Sequence, residues 1–174
     1  MAGLACACPH PLGRRYAPAV VTAQERFRDV VRDRLAPALR LMGLRGSGQG
    51  YTLPTDTCWA QLGLQRFTWS NRDAVEFTVN LSVVSREAWA LALEERPWIG
   101  AMPKPNVGAM LQIRFWERLG SVAGVGDYRW RLSAGGGDED ATCDHLLTMI
   151  AEHGVPTLRR EVAERLNSRD GSVP

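Results

Sequence analysis

Lysine is almost absent from this sequence: Lys104 stands alone among 21 basic residues, and every other one is an arginine. The 19 Asp and Glu residues are interleaved with the arginines, so the formal net charge is only +2. A nucleic-acid binder gathers its bases on one stretch or face, and this even scatter disfavours that class. Long apolar runs are missing as well. The longest, such as residues 88–93, fall far short of the ~20 residues that cross a bilayer. No basic segment precedes an apolar run long enough for a secretory signal near residues 1–8, and the expected location is the cytoplasm. Cysteine is scarce: Cys6, Cys8, Cys58 and Cys143 are unevenly spaced, which suits reduced thiols better than a disulfide framework.

What is present is an ordinary globular composition, 45% hydrophobic and 23% charged over 174 residues. A chain of this length buries roughly 70% of its extended surface on folding and holds one core. Residues 1–20 carry Pro9, Pro11, Gly13 and Pro18 without apolar periodicity and read as a loose extension. Residues 21–168 read as a single α+β domain, and 169–174 as a tail.

Phe27, Val30, Val31, Leu35, Ala38 and Met42 recur at helical spacing. Thr22 with Glu25 has capping-box spacing, and Gly43 followed by Leu44 suits a left-handed stop. Pro37 removes a backbone bond and predicts a kink near Asp33 or a split helix. Beyond a glycine-rich turn at Gly46, Gly48 and Gly50, Cys58, Ala60, Leu62 and Leu64 alternate with Trp59, Gln61, Gly63 and Gln65. Val75, Phe77, Val79, Leu81 and Val83 then alternate with Glu76, Thr78, Asn80 and Ser82, so two half-buried strands form a hairpin with one dry and one wet face. Ser85 caps a short helix closed by Pro97, and residues 98–108 read as loop. Leu111, Ile113 and Phe115, then Tyr128, Trp130 and Leu132, alternate again and predict a second hairpin across Gly120 to Gly126. Asp138 or Asp140 starts a helix with Cys143, Leu146, Leu147 and Ile150 on one stripe, and Pro156 opens a last helix. The expected fold is a mainly antiparallel sheet of about four or five strands with helices packed on one face.

The helix end at Leu35, Pro37, Leu39, Gly43 and Leu44, the glutamine-bearing strand, and Phe77, Thr78, Val79, Asn80 and Leu81 together resemble a bacterial family catalogued as domain of unknown function 4304. The resemblance runs roughly from Phe27 to Leu158, with Leu111 to Phe115, Trp130 and Gly154, Val155, Pro156 as its later elements. The turn at Gly46 to Gly50 lacks the lysines usual in that family, and residues 98–108 have no counterpart. The family has no established activity, so the resemblance implies a fold and supplies no catalytic residues.

No motif specifies chemistry. The glycines at 46, 48 and 50 follow a helix, whereas phosphate-binding loops follow a strand and open a helix. Cys6, Cys8 and His10 invite a zinc reading for which Cys143 and His145 could supply the second pair, but Cys143 lies on an apolar stripe, where a reduced cysteine behaves as a small hydrophobe. His145 and His153 accompany no nucleophile elbow, and Glu94, Glu95 and Asp138 to Asp140 suit caps and helix ends. No catalytic residue, metal or cofactor is assigned. Trp59 and Trp116 stand by strand parity on the wet face, where an aromatic covers an edge or lines a groove.

The reading that follows is a non-catalytic interaction or ligand-binding module using the polar face of the sheet. Its binding residues are Gln61, Glu76, Asn80, Arg114, Trp116 and Arg129, and its partner is a protein or a small polar ligand. Two alternatives use the same face: a small enzyme with Glu76 and Arg114 in acid-base roles, and nucleic-acid binding through Arg114, Arg129 and Arg131 with Trp116 stacking. A membrane partner is not expected.

Overall fold

The structure, a computed structural model, describes residues 21–107 and 115–170. The first helix begins where its capping box predicts. Thr22 Oγ1 accepts from the Glu25 N–H at 3.2 Å, and the Thr22 N–H donates to Glu25 Oε2 at 2.8 Å. α1 (Ala23–Val30) and α2 (Ala36–Leu41) are joined by a π-helical turn, Val31–Leu35. That wider turn is where the helix is divided: the Ala36 N–H reaches back five residues to Val31 O, and Pro37, which has no N–H to place, follows it. Gly43 ends the helix at φ 92°, and the Leu44 N–H closes onto Leu39 O at 3.0 Å.

The sheet has six strands among the described residues, all paired antiparallel: β1 (Arg45–Ser47), β2 (Gly50–Leu53), β3 (Cys58–Arg66), β4 (Ala74–Ser85), β5 (Phe115–Arg118) and β6 (Trp130–Ser133). This is more than the four or five expected. The glycine-rich turn is itself a hairpin, with Ser47 opposite Gly50 and Gly48 at φ 58°; its strands are too short to carry an apolar rhythm. The predicted second hairpin does not form as such. β5 pairs with residues 80–83 and β6 with residues 74–77, so both lie along one side of β4. β4 has 12 residues, enough to seat two four-residue strands end to end. The chain leaves that edge between them through α4 (Leu119–Val122). Leu111, Ile113 and Arg114 lie outside the described residues, as do residues 1–20 and 171–174.

One face of the sheet holds the main core. Phe77 packs edge-on against Phe27 at 5.1 Å and stacks on Trp130 at 6.1 Å, tying α1 to β4 and β6. α5 (Glu139–Met149), a second π-helical turn (Ile150–Gly154) and α6 (Val155–Asp170) complete that side. The expectation of helices on one face only needs correction. α3 (Arg86–Glu95), capped by Ser85 Oγ accepting from Ala88 N–H at 3.0 Å, packs on the other face, where Trp89 and Ala92 meet Val84 and Trp59. The even-numbered side of β4 ends in apolar Val84, and α3 covers it. Among the described residues, no helix is long and apolar enough to cross a membrane.

Candidate functional site

Strand register places the predicted binding residues on one face. Gln61 opposes Ser82, Gly63 opposes Asn80, Trp116 opposes Ser82 from the other side, and Glu76 opposes Arg131. Because side chains alternate along a strand, Gln61, Glu76, Asn80, Trp116 and Arg129 share the side away from the main core. Arg114 lies outside the described residues.

That face is dry at its centre, which overturns the expectation of a wet surface there. Gln61 is 4% exposed and Thr78, Asn80 and Ser82 are 0% exposed. Among the described residues the cover is the segment 97–107, which apart from Pro97 lies within the stretch 98–108 expected as loop. A short 3₁₀ turn (Pro97–Ile99) follows α3, and Trp89 Nε1 donates to Gly100 O at 3.1 Å. Asn106 then enters the sheet: its Nδ2 donates to Leu64 O at 3.1 Å, and Asn80 Nδ2 donates to Asn106 Oδ1 at 3.2 Å and to Gln65 Oε1 at 2.7 Å. Trp116 Nε1 donates to Pro105 O at 2.8 Å, so this ring props the cover. Gly63 makes the approach feasible, since a Cβ there would collide with Asn106 Oδ1 and lie 2.8 Å from Pro105 Cγ. Asn80 and Trp116 therefore act as braces beneath and beside the covering segment.

The other end of the same face stays open. Past Arg66 the chain turns through residues 67–73. The Phe67 N–H donates to Glu76 O at 2.9 Å, and Ser70 Oγ both donates to Glu76 O and accepts from its N–H at 3.1 Å. Asn71 Oδ1 accepts from Asp73 and Ala74 N–H groups, the Asx pattern that tightens such a turn. This turn stacks Phe67 on Trp69 with ring centroids 4.4 Å apart, and Trp69 is left 54% exposed. Trp69 Nε1 donates to Glu76 Oε2 at 2.9 Å, while Arg131, facing Glu76 across the strands, lies 3.6 Å from Oε1.

Arg129 lies over both rings, with its guanidinium carbon 4.8 Å from the Phe67 centroid and 5.5 Å from that of Trp69. Asp127 holds it from behind at 3.0 Å and also pairs with Arg118. Hydrogen bonds from Arg118 and then Arg129 keep the Asp127 carboxyl below the ordinary aspartate range. Of the predicted residues, Glu76 and Arg129 thus meet at an exposed surface. Gln61, Asn80 and Trp116 belong to the covered centre. Phe67 and Trp69 were not singled out from sequence; the signal was two aromatics at alternate positions of a hairpin turn.

Burial pushes the Cys143 thiol up from its ordinary range, and no group of three or more His, Cys, Asp or Glu side chains able to hold a metal occurs among the described residues. Cys6, Cys8 and His10 lie outside them.

Comparison with known proteins gives a family. Residues 35–160 match the domain of unknown function (DUF4304), and the chain belongs to it. No curated protein and no solved structure matches the chain.

Proposed function

For this member of a family without an assigned activity, we propose a non-catalytic binding module that docks a protein partner on the open end of the sheet's polar face. The observation carrying this reading is the exposed stack of Trp69 on Phe67 with Arg129 laid across it. Tryptophan, tyrosine and arginine dominate binding hot spots because they bury much area at low entropic cost and pair with both apolar and charged groups. Each member is held in place before any partner arrives: Trp69 by Glu76, Arg129 by Asp127, the turn by Ser70 and Asn71. Preorganisation of that kind lowers the cost of association.

Three arginines, at 118, 129 and 131, share two carboxylates, Asp127 and Glu76. The partner therefore presents an apolar side chain to Trp69 and a carboxylate to Arg129 or Arg131. The nucleic-acid alternative is weaker, because Trp116, the ring it needs for stacking, is tied to Pro105.

A photo-crosslinking residue in place of exposed Thr68, beside Trp69, traps the partner for identification by mass spectrometry, and the purified partner is then titrated directly. Trp69→Ala and Arg129→Ala are expected to weaken it at least tenfold, about 1.4 kcal/mol, while far-UV circular dichroism stays native. Wild-type affinity in both variants would sink the reading. Capture abolished by nuclease, with a steep salt dependence, would favour nucleic acid instead.

A further inference from the structure

A second concave site lies on the opposite side of the sheet, between the first helix and the β1–β2 hairpin. Phe27, Val31 and Ala36 form its apolar floor, Ser47, Gly48 and Gln49 form one wall, and Arg28, Arg32, Arg40 and Arg66 line it. Its volume is about 350 Å³, within the ~300–1,000 Å³ of small-molecule sites. No carboxylate lines it.

The four guanidiniums differ in what already satisfies them. Arg32 is neutralised by Asp29 and Asp33, each at 2.7 Å. Arg40 donates only to a neutral acceptor, Gly46 O at 3.2 Å, and Arg66 lies 5.7 Å from the Phe27 centroid. No ion pair joins Arg28, Arg40 or Arg66 to a carboxylate among the described residues, which is also true of Arg45, Arg72, Arg86, Arg96 and Arg159. Arg28 also feels the Glu25 carboxylate one helical turn before it, so the positive excess around this apolar hollow rests chiefly on Arg40 and Arg66. A planar guanidinium offers paired donors matched to carboxylate and phosphate oxygens.

We propose that this hollow binds a small molecule with a dianionic head, a phosphate monoester or a dicarboxylate, and an apolar body. The head pairs with Arg28 and Arg66 at the Phe27 end of the hollow, and the body lies on Phe27 and Val31 toward Arg40. Arg32, held by its two aspartates, contributes its stem to the wall and no free charge. The site is independent of the Trp69 surface, and Trp69→Ala leaves it intact.

The test uses the full chain and four probes in calorimetric titrations: phenyl phosphate (head and body), inorganic phosphate (head alone), phenol (body alone) and phthalate (a dicarboxylate with a body). Phenyl phosphate or phthalate is expected to bind saturably, at least about tenfold more tightly than inorganic phosphate or phenol. Arg28→Gln and Arg66→Gln should each weaken that binding about tenfold, since each removes a charged pair while keeping a long polar side chain. Arg28 lies on the exposed side of α1, so its variant remains informative if Arg66→Gln fails to fold. Lack of saturable binding by both two-part probes would overturn the proposal. So would binding unchanged in both variants, inorganic phosphate binding as tightly as phenyl phosphate, or a single-stranded oligonucleotide displacing phenyl phosphate at lower concentration than phenyl phosphate itself requires.

Discussion

Asn80 is a polar side chain with no exposure, and its amide nitrogen serves two acceptors, Gln65 Oε1 and Asn106 Oδ1. Truncating it strips both of their donor beneath the covering segment. Asn80→Ala is expected to cost about 1–3 kcal/mol in a denaturant melt, the penalty of buried groups left unpaired; a change inside the scatter of such melts would show the brace to be idle. Phe77→Ala removes a ring packed between Phe27 and Trp130, and about 3–5 kcal/mol is expected from lost transfer energy plus the cavity. Asp127 supplies a pH dependence at the same scale. Its folded pKa is depressed by Arg118 and Arg129, so its stabilising contribution is present above the unfolded value of about 3.9 and is lost as pH falls through the folded one. The carboxylate is 43% exposed, so solvent screening keeps that contribution small. Carboxyl titration followed by NMR should place its midpoint below the ordinary range, and Arg118→Gln should raise it. A midpoint unmoved in that variant would contradict the assignment.

The two interrupted helices follow one rule. Ala23, Phe27, Val31, Leu35 and Leu39 are all buried, yet steps of four residues drift by about 40° each on a helix of 3.6 residues per turn. One π turn adds a residue to the circuit and brings the stripe back onto the sheet. Leu146, Ile150, Gly154 and Leu158 repeat the same spacing around the second π turn, Ile150–Gly154. In each case a proline follows the turn by two residues, Pro37 after Leu35 and Pro156 after Gly154. If the apolar spacing sets the wide turn and proline merely tolerates it, Pro37→Ala should keep the Ala36 N–H to Val31 O bond and change stability by less than about 1 kcal/mol. Amide exchange at Ala36 and a thermal melt check this; reversion to regular α-helix with a large destabilisation would mean that proline itself enforces the turn.

At the scale of the whole molecule, the sheet is packed on both sides, by α1, α5 and α6 on one and by α3 with the segment 97–107 on the other. The second packing depends on Gly63, whose missing side chain makes room for Asn106 and Pro105. Gly63→Val is therefore expected to displace the cover, expose Trp116 to solvent and raise amide exchange in the centre of β4, while the Phe27, Phe77 and Trp130 packing on the far face survives. Unchanged tryptophan emission and exchange in that variant would show that the cover tolerates a side chain there. The Trp69 surface and the arginine-lined hollow lie outside this contact and should keep their ligands.

Period-two alternation and helical stripes determined from sequence alone which side chains of β3, β4 and β6 are buried in the main core, where the helices start at Thr22 and Ser85, and that Glu76, Asn80 and Arg129 share a face, because these depend on neighbours a few residues away. The tertiary structure alone decided that β5 and β6 line up along β4 instead of pairing with each other, and that Asn106 arrives over Gly63 to dry the polar face. It also gathered Arg28, Arg40 and Arg66 around one hollow. Each of those outcomes joins segments distant in the chain, and local periodicity carries no information about which distant segment will cover a half-polar surface.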